Sequence, residues 1–163
     1  MNRVKGENRG GPEDVFRIHL QQVAQFMGHR LKHIPDHVIN KGNKHEDRRK
    51  FRRKPCDAIL SISGSPGFNY FIELKAGKNK LTPHEKIVMQ DMETVNKSYF
   101  VVRKNERYLK RQNKICTDYT IEKPGIWEKP IEVDSIDRII RWFEVHSDTA
   151  WMVFCKRKGL TTL

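Results

Sequence analysis

Cysteine is scarce in this chain, and the three that occur, Cys56, Cys116 and Cys155, are far apart and form no CxxC pair. An odd, scattered set excludes a disulfide framework and gives no structural zinc site. Long apolar runs are also missing. Nothing approaches the roughly 20 residues of a membrane span, and the N-terminus has no signal-peptide stretch. No lipidation signal or basic amphipathic helix directs the chain to a lipid surface. The expectation is a soluble protein of a reducing, cytoplasmic compartment with no membrane partner. Internal repeats and low-complexity tracts are absent as well.

Acidic residues are the next shortage: 20 Asp and Glu stand against 32 Lys and Arg, a net charge of +12 on 163 residues. Such a field attracts polyanions. Nucleic acid leads, because each phosphate contact made by Lys or Arg releases condensed counterions whatever the base sequence. Apolar residues still make up 37% of the chain, enough for one core. A single domain over residues 12–163 is expected, preceded by a polar, glycine-containing arm over residues 1–11.

The hydrophobic pattern sketches a mixed α/β fold. Pro12, Glu13 and Asp14 suit a helix start, and Phe16, Leu20, Val23 and Met27 follow at helical spacing until Gly28. Residues 29–54 read as loop, with one short strand around Val38 and Ile39. Cys56 to Ser63 and Phe68 to Lys75 are β-prone runs separated by Gly64, Ser65, Pro66 and Gly67, a hairpin signal. Thr82, Pro83 and Glu85 announce a capped helix carrying Val88, Met92 and Val95. Tyr99 to Arg103 and Ile131 to Val133 read as strands, and Ile136, Ile139, Ile140 and Phe143 as a helix capped by Asp134 or Ser135. Trp151 to Cys155 reads as a last strand. Lys104 to Lys129 is rich in charge and poor in period. A mixed sheet flanked by helices is the implied architecture.

Chemistry concentrates in the hairpin. Glu73 and Lys75 share one strand face while Ile72 and Leu74 take the other. A short loop centred on Ser65 pairs residues whose numbers sum to 130, which sets Asp57 opposite Glu73. Opposed Cβ atoms lie about 4.5–5.5 Å apart, so two carboxylates there repel unless a cation lies between them. Magnesium takes one or two carboxylates and keeps several waters. A nearby lysine can orient a water or offset charge on a phosphate. Taken by spacing alone, the same three residues are equally consistent with a solvated ion-pair face. The apolar run into Glu73 argues for a partly buried strand, where charge needs a partner.

Pro55-Cys56-Asp57, fifteen intervening residues, then Glu73-Leu74-Lys75 resembles the signature of the PD-(D/E)xK nucleases. The stretch from Lys54 through Asn105, with IELKAGKNKLTPHEK and SYFVVRKN, is similar to the virus-type replication-repair branch, VRR-NUC. The resemblance covers about a third of the chain. It implies a restriction-endonuclease-like fold and a divalent ion, Mg2+ or Mn2+, held by Asp57, Glu73 and the main-chain carbonyl of Leu74. Glu13 is the first-helix acid that would join them, and Lys75 takes the catalytic role. It further implies a phage or bacterial endonuclease acting on branched DNA such as four-way junctions or flaps, in replication or repair, with no small-molecule cofactor. Cutting both strands of a symmetric junction favours a homodimer. Where the family has glutamine this chain has Glu85, which either takes that place near the metal or closes the capping box with Thr82; the local sequence favours the cap.

Between Lys41 and Lys54, eight basic residues stand against Glu46 and Asp47, directly ahead of Asp57. Arg48, Arg49, Lys50, Arg52, Arg53 and Lys54 are candidate phosphate contacts, with Lys78 and Lys80 in second rank. The alternative for these residues is a solvated loop. His29, His33 and His37 recur every four residues, but Pro35 interrupts any helix that would align them, which favours structural roles. Trp127, Trp142 and Trp151 are expected in the core or an interface. The rival to a nuclease is a non-catalytic nucleic-acid-binding module using the same basic surface, and RNA remains open as the polymer because these residues do not touch the sugar.

Overall fold

The computed structural model describes residues 11–35, 55–64, 68–95 and 98–160. Helix α1, Pro12–Phe26, begins at Gly11, whose carbonyl accepts from Asp14 N at 2.9 Å. It buries Phe16, Leu20 and Ala24. Strand β1, Arg30–His33, follows, where the sequence pattern predicts loop. Only Leu31 of its four residues is buried, so no alternation announces it. The predicted strand at Val38 and Ile39 lies outside the described residues, as do the basic residues Arg48 to Lys54.

Strands β2, Ala58–Ser61, and β3, Asn69–Ala76, pair antiparallel with Ala58 facing Ile72 and Ile59 facing Phe71. This is the register expected from a short turn. The ladder ends at Ala58, so Asp57 sits one residue beyond the strand rather than in it, with its N–H donating to Ile72 O at 3.1 Å. Helix α2, Pro83–Thr94, then carries the chain over to β4, Tyr99–Leu109, which pairs parallel with β3. Parallel neighbours require such a crossover. Strand β5, Lys114–Glu122, returns antiparallel to β4, and β6, Ile131–Val133, closes a six-stranded mixed sheet in the order β1-β2-β3-β4-β5-β6.

Helix α3 runs from Ile136 to Lys158 and absorbs Trp151 to Cys155, the segment expected as a last strand. A compact apolar run does not reveal its period, and here the stop signals decide: Lys156, Arg157 and Lys158 fill the last turn and Gly159 caps it at φ 67°. Lys104 to Lys129, unreadable by period, holds the second half of β4, the whole of β5 and the loop to β6.

The sheet separates two cores. On one face α1 and α3 pack through Phe16, Leu20, Ile139, Ile140 and Phe143 against Tyr70, Ile72, Leu74, Phe100 and Val102. Trp127 and Trp142 are packed on this core, and Phe100 meets both in edge contacts. On the other face α2, through Met89, and Leu81 just ahead of it cover Cys56, Tyr99 and Val101. His29 ties the layers together, with Nε2 2.6 Å from Glu144 Oε1 on α3 and Nδ1 accepting from Ser63 N at 3.1 Å. Among the described residues no helix is long and apolar enough to cross a membrane.

Candidate active site

Strand β3 outruns β2. Beyond Ile72 it keeps β4 as a partner on one edge, and its other edge would carry unpaired N–H and C=O groups. Two carboxylates fill that gap. Asp57 Oδ2 accepts from Leu74 N at 2.8 Å, and Glu13 Oε1 from Ala76 N at 3.3 Å and Asn79 Nδ2 at 3.2 Å. Because a strand residue presents its N–H and C=O to the same edge, the Leu74 carbonyl faces this side too. A cleft of about 430 Å³ opens here, lined in part by Glu13, His33, Asp57, Leu74, Ala76 and Asn79.

Glu73 and Lys75 occupy the α2 face of β3 and do not line the cleft. They are 3% and 7% exposed. Lys75 Nζ lies 3.2 Å from Glu73 Oε1 and 3.0 Å from Glu85 Oε1. Glu85 closes the expected capping box and also reaches Lys75. Its Oε2 accepts from Thr82 N at 2.7 Å while Thr82 Oγ1 accepts from Glu85 N at 3.3 Å, which completes the capping box; its Oε1 holds the lysine.

Two acids therefore crowd one lysine, and a third, Asp57, presses on Glu73. Burial, then the charges of Asp57 and Glu85, push the Glu73 carboxyl up from 4.5 to about 8, and a hydrogen bond with Glu85 helps to hold its proton. Tyr99 O–H donates to Glu73 Oε2 at 3.5 Å, and burial raises that phenol's own pKa. Lys75 stays firmly protonated, because the carboxylates of Glu85 and Glu73 outweigh its desolvation. Glu85 is held below the usual range, its burial outweighed by the Thr82 backbone N–H and by Lys75. The Cys56 thiol, next to Asp57 in sequence, is driven up to about 12 mainly by burial and donates to Ala58 O at 3.2 Å. It is no nucleophile.

Asp57, Glu13, Leu74, Glu73, Lys75 and Glu85 thus gather at the end of β3, in two adjoining groups rather than one. The electrostatic pressure of Asp57 on Glu73 links the groups. Among the described residues no three His, Cys, Asp or Glu side chains converge as a ready-made metal cage. Magnesium does not demand one, since one or two carboxylates, a carbonyl and waters suffice. Lys78 and Lys80 are exposed in the turn after β3, beside Asn79.

Three residues of this neighbourhood escape sequence reasoning. Arg103 donates from its Nη1 to Gly77 O at 2.9 Å and Asn79 O at 2.5 Å, and from Nε to Glu122 at 2.8 Å, so it fixes the turn that bears Lys78 and Lys80. Tyr99 and Asn79 are the others. Only the parallel register, which sets Lys75 beside Arg103 and Glu73 beside Val101, reveals Arg103 as a neighbour of the site. Comparison with protein-family models finds no match for this chain, and neither does comparison with curated proteins.

Proposed function

We propose that the chain is a metal-dependent endodeoxyribonuclease built on Asp57, Glu73 and Lys75, with a PD-(D/E)xK-type site in a restriction-endonuclease-like fold. One observation carries the reading: a buried strand end holds Glu73 and Glu85 on one lysine, with Asp57 near enough to press on Glu73 electrostatically, beside a cleft whose wall is a carboxylate-capped strand edge. An excess of buried negative charge is costly unless it has a use for a cation.

Asp57, Glu73, the Leu74 carbonyl and Glu13 would hold the ion, Mg2+ or Mn2+. Bound there, it supplies Lewis-acid polarisation of a phosphate oxygen. Lys75 keeps a full positive charge at the strand end and offsets the negative charge that builds on the phosphoryl group, or orients the attacking water. Glu85 fixes the lysine's direction through Oε1, and Tyr99 steadies Glu73. Lys78 and Lys80, on the turn held by Arg103, contact the phosphodiester backbone. Branched DNA, a four-way junction or a flap, is the substrate we favour, and a homodimer the assembly.

Cleavage of a junction, a flap and a linear duplex with magnesium, manganese or chelator tests this. Metal-dependent cutting of DNA is expected, lost by at least a thousandfold in Asp57→Ala and Glu73→Ala while DNA binding is retained. Either purified variant cutting at the wild-type rate overturns the assignment. Tight binding with no cutting under any metal makes the protein a nucleic-acid-binding module.

A further inference from the structure

Strands β4 and β5 continue past the sheet. Pairing with β3 ends at Ala76 opposite Lys104, and pairing with β6 reaches only Tyr119 opposite Val133. Residues 105–118 are therefore a two-stranded ribbon with no third strand among the described residues, paired from Asn105 opposite Asp118 to Leu109 opposite Lys114. At about 3.3 Å per residue the tip stands roughly 16 Å beyond the supported sheet.

The ribbon has a defined shape. Lys110–Gln112 forms a single 3-10 turn, Asn113 takes the left-handed conformation at φ 45°, and the Tyr108 hydroxyl donates to Asn113 Oδ1. Arg107 pairs with Asp118 across the strands. Its surface composition is unlike that of an ordinary loop. From Arg107 to Lys114 there are four basic residues and no acid, and Tyr108, Leu109 and Ile115 expose apolar surface between them. An isolated ribbon of this kind gains little from burial and is marginal alone.

Its base adjoins the candidate site. A second cleft of about 440 Å³ shares Pro12, Ala76 and Asn79 with the first and extends to Lys104 and Glu106, where the ribbon begins. The alternation along β4 sets Arg107 and Leu109 on the same face as Arg103, the register neighbour of Lys75.

We propose that residues 105–118 are an arm that enters the major groove of duplex DNA about five base pairs from the scissile phosphate; this rests on the nuclease reading and adds to it the element that holds the duplex. The DNA major groove, about 12 Å wide and 8.5 Å deep, admits a two-stranded ribbon. The major groove of duplex RNA is deep and too narrow for side-chain reading, so the shape selects DNA. Lys110, Arg111 and Lys114 meet the phosphates flanking the groove, and Tyr108 and Ile115, opposite one another on one face of the ribbon, meet its floor, where thymine methyls offer apolar contact.

The test is the full chain carrying Lys110→Ala, Arg111→Ala and Lys114→Ala together. These side chains are exposed, so folding should be preserved, as an unchanged melting curve would show. Binding to a fluorescent DNA duplex is measured in chelator across a salt series. A control removes Lys156, Arg157 and Lys158, an equal charge at the end of α3. The arm variant should bind at least tenfold more weakly at low salt, with a log–log salt slope shallower by about 2 to 3. The control should lose under threefold, and binding of an RNA duplex should change little in either. Wild-type affinity in the arm variant, equal loss in the control, or equal loss on RNA each overturns the arm. The nuclease reading fails separately: if wild type cuts nothing with any metal but the arm variant still loses DNA selectively, the arm stands and catalysis falls.

Discussion

The two halves of β4 belong to one strand and to opposite environments. Tyr99, Phe100, Val101 and Val102 are sealed between α2 and the α1–α3 layer, with β3 along one edge and, from Val101 onward, β5 along the other. Among the described residues Glu106 to Leu109 have one neighbouring strand and solvent on both faces, and Tyr108 is 58% exposed. Backbone geometry alone does not separate them. What differs is the work each half can do: the first anchors Glu73 and Lys75 through its register, and the second has surface to spare for a partner.

The sharpest way to break this contrast is at the lysine that the inner half supports. Lys75→Met should lower the cleavage rate by about 10²–10³-fold, the range for losing one electrostatic contact to a developing charge, with DNA affinity within threefold of wild type in a filter-binding assay. Next comes packing. Phe100 touches Tyr70, Phe143, Trp127 and Trp142, and Phe100→Ala should cost about 3–5 kcal/mol in urea denaturation, against under about 1 kcal/mol for Leu109→Ala on the same strand. Similar costs at both positions would erase the distinction.

A pH titration sharpens it further. In the unfolded chain Glu73 ionises near 4.5, and in the folded chain near 8, so the unfolded state sheds its proton first. Stability in chelator should therefore fall as pH rises from about 4.5 to about 8 and level off above that, by on the order of a few kcal/mol. Glu73→Gln should flatten this contribution and be the more stable protein at neutral pH while failing to cut. A divalent ion competes with the same proton, so metal binding should release protons and tighten as pH rises through that window, which calorimetry in two buffers would read. The smallest effect belongs to the cap: Thr82→Ala should cost about 1 kcal/mol, and Tyr108→Phe on the arm under about 0.5 kcal/mol.

Much of the inner half was legible. The turn length set the register of Ala58 against Ile72, and Thr82, Pro83 and Glu85 announced the start of α2. Both signals are local. Glu85 illustrates the limit, because the capping box is written in adjacent residues whereas its second oxygen finds Lys75 only after β3 and α2 have packed. β1 stayed hidden because four residues with one buried side chain carry no period. The arm stayed hidden for a related reason: with neither face buried, nothing constrains its sequence to alternate. The end of α3 misled because Met152, Val153 and Phe154 form a continuous apolar run, and in the structure all three are exposed.

The open edge of β3 has a consequence for the life of the protein in a crowded cell. Four residues of a central strand with one edge left without a neighbouring strand are a template on which another chain could add itself, the route by which sheets polymerise. Asp57 and Glu13 close that template with negative charge, occupying the N–H groups of Leu74 and Ala76 that an invading strand would seek. The same two acids proposed for the metal thus act as guards of solubility, and a chain deprived of both would be expected to aggregate before its lost activity could be measured.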